Sequence, residues 1–450
     1  MGKYFGTDGV RGVANTELTP QLAFDLGQFG AYVLTSHNKH TARILVGKDT
    51  RISGDMLESA LVSGILSVGA HAELLGIVPT PAVAYLTRKY SADAGVVISA
   101  SHNSVEYNGI KFFNQSGFKL SDEIENEIEA YIMGKKVIEE LPTGNKIGRK
   151  SFNKNATQDY MDFAISASEV NLEGLKIAVD CANGANFYIG PEAMRRLGGD
   201  VHVISNAPDG TNINENCGST HINRLCEYVK EIKADIGLAF DGDADRLIAV
   251  DENGNVIDGD VIMGLYAMYL KEKGKLKNNL VVATVMSNMG LTLSCRKQGI
   301  DVIQTKVGDR YVLEKMLQKD SVLGGEQSGH IISLVDNTTG DGLVCALHLL
   351  SILKTSGKTA SQLRGDITIL PQVLVNAKVQ NQYKTDMLSD LEVIQLISLI
   401  EQKYNKQGRL LVRPSGTEPV VRVMIEGNNK DEMQADATEL AKLLENKFSI

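Results

Sequence analysis

Two stretches of this chain carry residues that could do chemistry together. One is Asp241-Gly242-Asp243-Ala244-Asp245-Arg246, three carboxylates at alternate positions closed by an arginine. Like charges this close repel strongly in a partly buried loop unless a cation joins them. Carboxylate oxygens suit a hard divalent ion, and Mg²⁺ is the one that fits best. An EF-hand would also place an acid at Glu252, but its sixth position must be glycine, and here it is Arg246. Apolar strands, not helices, flank the loop. The other stretch is Ser101-His102-Asn103, where a hydroxyl is followed by an imidazole and an amide. Such a serine is a candidate nucleophile or phosphate carrier. Alone, the triplet would also describe a plain turn.

Further loops strengthen the case. Gly324-Gly325-Glu326-Gln327-Ser328-Gly329-His330 sets a carboxylate among glycines. Glu326 can accept hydrogen bonds from two adjacent sugar hydroxyls, Ser328 can donate or accept, and His330 can carry a proton. The glycines leave room for close backbone approach to a ligand. Arg413-Pro414-Ser415-Gly416-Thr417-Glu418-Pro419, with Arg422 following, combines guanidinium forks, two hydroxyls and free amides around Gly416. This composition suits a phosphate held without reaction. Thr7-Asp8-Gly9-Val10-Arg11-Gly12 adds an arginine, Asn108-Gly109-Ile110-Lys111 an amine, and Gly308-Asp309-Arg310 another arginine. Brought to one cleft, Arg11, Lys111, Arg246, Arg310, Arg413 and Arg422 make a locally basic site for a phosphorylated substrate.

Elements of regular structure must deliver these loops. Ala94-Gly95-Val96-Val97-Ile98 reads as a strand covered on both faces, and the ends of such strands are where α/β folds place chemistry. The order strand, polar loop, helix, glycine, strand recurs three times, starting at Ile44–Gly47, Ile177–Asp180 and Val281–Thr284. A second helix in each copy then feeds a strand: after Asp93 towards Ser101, after Asp235 towards Asp241, and after Asp320 towards Gly324. This predicts three similar mixed α/β domains, at 1–153, 154–254 and 255–367. A smaller α+β domain at 368–450 has strands near 410–412 and 420–425 and a helix over 430–447.

Composition bounds the rest. The 450 residues exceed a single core, and 43% hydrophobic with 22% charged content is that of a globular protein. A net charge of −9 argues against a nucleic-acid binder. No apolar run reaches the length of a membrane span. Met1–Phe5 has no signal-peptide pattern, and Gly6 stands where myristoylation needs Ser or Thr. The five scattered cysteines form no Cys-x-x-Cys pair and predict free thiols in the cytoplasm.

Taken in order and spacing, Thr7–Gly12, Ser99–Asn103, Asp241–Arg246, Gly325–His330 and Arg413–Pro419 resemble the α-D-phosphohexomutase family over essentially the whole chain. Gln327 and Gly416 resemble its amino-sugar branch more than the phosphomannomutase/phosphoglucomutase branch. The resemblance implies four domains around a central cleft and a phosphate carried on Ser101. Phosphoserine 101, Asp241, Asp243 and Asp245 would bind one Mg²⁺, and Glu326 and Ser328 the sugar hydroxyls. Arg413, Ser415, Gly416 and Thr417 would bind the idle phosphate. Lys111 and His330 are the family-like acid and base, without assignment of which is which. The implied reaction interconverts glucosamine 6-phosphate and glucosamine 1-phosphate through glucosamine 1,6-bisphosphate, feeding UDP-N-acetylglucosamine and cell-wall precursors. A homodimer is implied as well. Ser104 departs from the family, which usually has proline there; proline would stiffen the loop. Two rivals remain. A haloacid dehalogenase-type phosphotransferase would use Asp241 as nucleophile and leave Ser101 dispensable. A sugar-phosphate sensor would bind without turnover.

Overall fold

The computed structural model describes residues 3–6, 8–35, 40–384, 386–405, 408–414 and 419–449. They divide into two compact units, one of residues 1–286 and 298–366, the other of 287–297 and 367–450.

The first unit holds three sheets with one shared plan. In the first, Arg43–Lys48 lies between His71–Ile77 and Ala94–Ile98, both parallel to it, and Ala94–Ile98 pairs antiparallel with Tyr107–Asn114. In the second, Lys176–Asp180 lies between Asp200–Ile204 and Ile236–Phe240, and Leu247–Asp251 follows antiparallel. In the third, Leu280–Thr284 lies between Asp301–Thr305 and Leu323–Gly325, followed by Ile331–Ser333. The first sheet grows further, with Gly9–Val13 and Phe5–Gly6 at one edge and Lys150–Phe152 at the other.

This repetition has one consequence for the site. Residues 99–106, 241–246 and 326–330 are the same connection in the three sheets, from the buried third strand to its antiparallel neighbour. Ala94–Ile98 and Ile236–Phe240 are buried at every residue, as strands covered on both faces must be. Polar groups can therefore emerge only at the strand ends, where the chain turns back.

The second unit is an antiparallel sheet ordered Gln372–Lys378, Val420–Glu426, Arg409–Pro414. Helices Met289–Lys297, Leu391–Tyr404 and Lys430–Phe448 accompany it. Val421, Val423 and Ile425 pack with Met433, Ala437, Leu440 and Leu444. Strand 372–378 and helix 391–404 are additional to the elements read from the sequence. Leu391 and Leu399 on that helix are 76% and 64% exposed, so its apolar residues do not form the single stripe that marks a helix. All five cysteines are free, and no helix among the described residues is long and apolar enough to cross a membrane.

Candidate active site

The first two functional loops meet. Ser101 Oγ donates to Asp241 Oδ2 at 2.6 Å, and His102 Nδ1 stands 3.3 Å from the same hydroxyl. Ser101 and Ala244 both have left-handed backbones, with φ of 53° and 55°. Gly242 allows the approach: a Cβ there would stand 2.6 Å from the Ser101 carbonyl oxygen.

Asp241, Asp243 and Asp245 are buried, and one carboxylate oxygen from each lies within 4.8 Å of the others. Their electrostatics are uneven. Burial, then Asp245 and Asp243, push the Asp241 carboxyl well above its usual range. Burial and Asp243 push Asp245 up. Burial would raise Asp243 too, but the Lys111 ammonium and the Thr80 hydroxyl outweigh it and hold that group below its usual range. Asp243 Oδ2 accepts from Thr80 Oγ1 at 2.6 Å and from Lys111 Nζ at 2.9 Å. Asp243 Oδ1 and Asp245 Oδ1 are buried with no hydrogen-bond partner. Two orphaned carboxylate oxygens beside a third acid are the donor set of a hard divalent cation, so the residues present fit Mg²⁺.

Strand pairing delivers the counter-charges. Lys111 sits opposite Val97, and Arg11 opposite Gly109. Lys111 is buried and also meets Asp8 at 2.9 Å. Burial would lower its pKa, yet Asp243, Asp8 and Asp245 raise it, so the amine stays an ammonium. Arg11 binds Asp8 at 2.9 Å and Asn103 Oδ1 at 3.3 Å. Arg246 Nε lies 3.8 Å from Asp245. His102, desolvated and beside Arg246 and Arg11, titrates down at about 4.

The third loop joins through a backbone bridge between Arg246 and His330. His330 is buried, with Nε2 at 3.7 Å from Asp245 and 3.6 Å from Asp309, and neither ring nitrogen has a hydrogen-bond partner. Glu326 is half-buried and its carboxyl is raised by that burial. Ser328 is exposed. The room at Gly329 faces protein, not ligand: a Cβ there would stand 2.2 Å from the Leu247 carbonyl, because this loop packs on the strand leaving the aspartate loop.

Arg310, expected to hold substrate, binds Asp122 at 2.6 Å, Glu125 at 3.2 Å and Glu314 at 3.3 Å. It borders a cavity of about 520 Å³ shared with Lys119 and Asp309. In the second unit, Arg413 and Arg422 face each other across paired strands. Ser415, Gly416 and Thr417 lie outside the described residues, as does Thr7.

Three charged residues of this cluster were not among those singled out from the sequence. Asp8 receives Lys111, Arg11 and Lys119, and Lys119 also binds Asp309. Asp8 and Asp309 lie inside glycine-containing turns read only for their arginines; nothing local marks Lys119. With them counted, the carboxylates here (Asp8, Asp241, Asp243, Asp245, Asp309, Glu326) outnumber the fixed cations (Arg11, Lys111, Lys119, Arg246). The described cluster is thus not basic by its side chains alone, and a divalent ion's charge must be counted before an anion is favoured.

Comparison with known proteins agrees with this architecture. Models of the phosphoglucomutase/phosphomannomutase family match in order: α/β/α domain I at residues 2–137, domain II at 157–254, domain III at 258–369 and the C-terminal domain at 374–443. A phosphoglucosamine mutase from Ruminiclostridium cellulolyticum is 60% identical over 449 residues, 100% of both chains. Among solved structures, a phosphoglucomutase/phosphomannomutase family protein from Burkholderia thailandensis superposes with a TM-score of 0.80 at 23% identity, covering 98% of each chain. Aspergillus fumigatus N-acetylphosphoglucosamine mutase, in complex with GlcNAc-6P and magnesium, gives 0.67 at 19% identity, covering 99% of this chain and 96% of that one. With four domain models in sequence and identity sustained from end to end, the chain belongs to the phosphoglucomutase/phosphomannomutase family.

Proposed function

We propose that this chain interconverts glucosamine 6-phosphate and glucosamine 1-phosphate, with Ser101 as the phosphoryl carrier. The observation that carries the reading is the 2.6 Å contact from Ser101 Oγ to an aspartate of the buried triad. The amino-sugar substrate follows from full-length relatives named phosphoglucosamine mutase.

Asp241, Asp243 and Asp245, with phosphorylated Ser101, would hold Mg²⁺, which when bound neutralises charge on the transferring phosphoryl group. The chain's own groups do the rest. The P–Oγ bond at Ser101 breaks as a bond forms to the sugar's 1-hydroxyl, and that hydroxyl's proton passes to the protein. His330, whose ring nitrogens have no hydrogen-bond partner, is the candidate acceptor, and Lys111, already an ammonium, can act only as a proton donor. Arg11 and Arg246 add positive charge around the reacting group. Glu326 and Ser328 hold ring hydroxyls. The freed Ser101 Oγ takes up a proton. The glucosamine 1,6-bisphosphate then presents its 6-phosphate: Oγ gives up that proton as its bond to phosphorus forms, the P–O6 bond breaks, O6 is protonated from the protein, and glucosamine 1-phosphate leaves with the phosphoserine restored. Arg310, Arg413 and Arg422, with Ser415, Gly416 and Thr417, are the proposed phosphate-binding groups of the substrate sites.

Comparison of kcat/KM for the 6-phosphates of glucosamine, glucose and mannose tests the substrate. Glucosamine should lead by at least tenfold; preference for mannose or glucose would move the assignment to the other branch. The Ser101→Ala variant should have no mutase activity. Robust turnover in that variant would favour an aspartate nucleophile, and binding without turnover in the parent would favour a sensor.

A further inference from the structure

The serine loop is held by two buried side chains that touch none of the reacting groups. Arg51 points its guanidinium at the loop's backbone: Nη2 donates to the carbonyls of Ser101 at 3.0 Å and Asn103 at 2.8 Å, and Nη1 donates to that of Ser104. Asn214, from the second copy, donates through Nδ2 to the same Ser101 and Asn103 carbonyls at 2.8 and 2.9 Å. Asp49 fixes the arginine by accepting from its Nε at 2.9 Å, in a pair that is wholly buried. Asp49 also accepts from Ser99 Oγ at 2.6 Å, and Ser99 Oγ accepts the Ser101 amide at 3.0 Å.

Both backbone groups of Ser101 are therefore tied. This matters because its φ of 53° lies in a region that a residue with a Cβ occupies only when its surroundings enforce it. Released, the residue would relax to a commoner conformation and swing its hydroxyl off Asp241. Asn214 is also in register with the aspartate loop: a Cβ on Gly242 would stand 2.9 Å from its Nδ2. The loop has no proline of its own to stiffen it, since residue 104 is serine.

We propose that Arg51 and Asn214 are positioning residues, a backbone clamp that holds Ser101 in its left-handed conformation and sets its hydroxyl against the aspartate loop. The inference rests on the reading of Ser101 as phosphoryl carrier. A merely structural pair would, when altered, lower stability and leave the folded enzyme's turnover intact.

Two variants and two readouts test it. Arg51→Lys keeps a charge for Asp49 but loses the fork. Asn214→Ala removes a neutral group and remains usable if the buried arginine proves necessary for folding. In steady-state assays with glucosamine 6-phosphate, kcat of folded Asn214→Ala should fall at least tenfold with KM within twofold of the parent. Amide hydrogen exchange of the peptide spanning 99–105 should quicken at least tenfold in the variants that fold, with other peptides of the first copy unchanged. A kcat within twofold of the parent, or unchanged exchange at 99–105, overturns the clamp. A parent that cannot turn over glucosamine 6-phosphate overturns the functional reading instead, and the exchange measurement still decides the clamp.

Discussion

Asp243 differs from its two neighbours because Thr80 and Lys111 already satisfy one of its oxygens while the other has no partner. On the proposed reading it is a metal ligand, and it anchors a buried ammonium as well. Replacing it with asparagine removes a ligand charge and leaves Lys111 with Asp8 as its close partner. Asp243→Asn should lower kcat by about 10²–10³-fold in saturating Mg²⁺, read in the same mutase assay. It should also abolish the rise in unfolding temperature that Mg²⁺ gives the parent. Arg413→Ala should mainly raise KM; a lowered kcat at constant KM would place Arg413 in the chemistry instead. At this scale the sequence was informative where a motif is contiguous. Asp241, Asp243 and Asp245 announce themselves by spacing, whereas Lys119 gains its meaning from Asp8 and Asp309, 111 and 190 residues away. Arg310 was legible only by its type and turn: the three acids around its guanidinium, Asp122, Glu125 and Glu314, become visible only in the fold.

Three hairpin connections at equivalent places in three sheets explain why a hydroxyl, an acid triad and a glycine-rich loop each fall at the same point of the repeated strand order. That regularity was legible because fully buried strands read as short apolar runs ending abruptly in polar residues. Helix Leu391–Tyr404 was not, because its exposed leucines blur the period. One helix start is open to a direct test. Asp341 caps Gly342–Ser356, accepting from the Val344 amide at 3.1 Å and from Tyr160 at 2.8 Å, and its other oxygen accepts from Asn337 at 3.0 Å. Burial nevertheless raises its pKa to about 6. An unfolded aspartate titrates near ~3.9, so the protonated form is favoured by folding. This contribution is complete below about pH 4 and is lost as pH rises through about 6. Between those values the stability of the parent relative to Asp341→Asn should fall as pH rises, by about 1–3 kcal/mol. A pH-independent difference between the two, measured by denaturant unfolding, would contradict the assignment.

For the molecule as a whole, the carboxylates gathered in the first unit set a condition on catalysis. Among the described residues of the cluster the acids exceed the fixed cations, so folding concentrates acidic groups where, on the proposed reading, a phosphorylated sugar would come. A divalent ion that binds only the folded protein relieves this, and at 100-fold over its Kd would add about 2.7 kcal/mol of stability. Addition of Mg²⁺ should therefore raise the parent's unfolding temperature, and a chelator should reverse the gain; calorimetry with no difference would argue against a preformed ion site. The proposed turnover requires, before anything else, that the phosphoryl group travel on Ser101. This is tested most directly by incubating the protein with a hexose 1,6-bisphosphate and Mg²⁺, removing the sugar, and locating the label by peptide mass spectrometry. One phosphoryl group should be found on Ser101, discharged by a single addition of glucosamine 6-phosphate. A label found on Asp241, or on no residue of the chain, would contradict it.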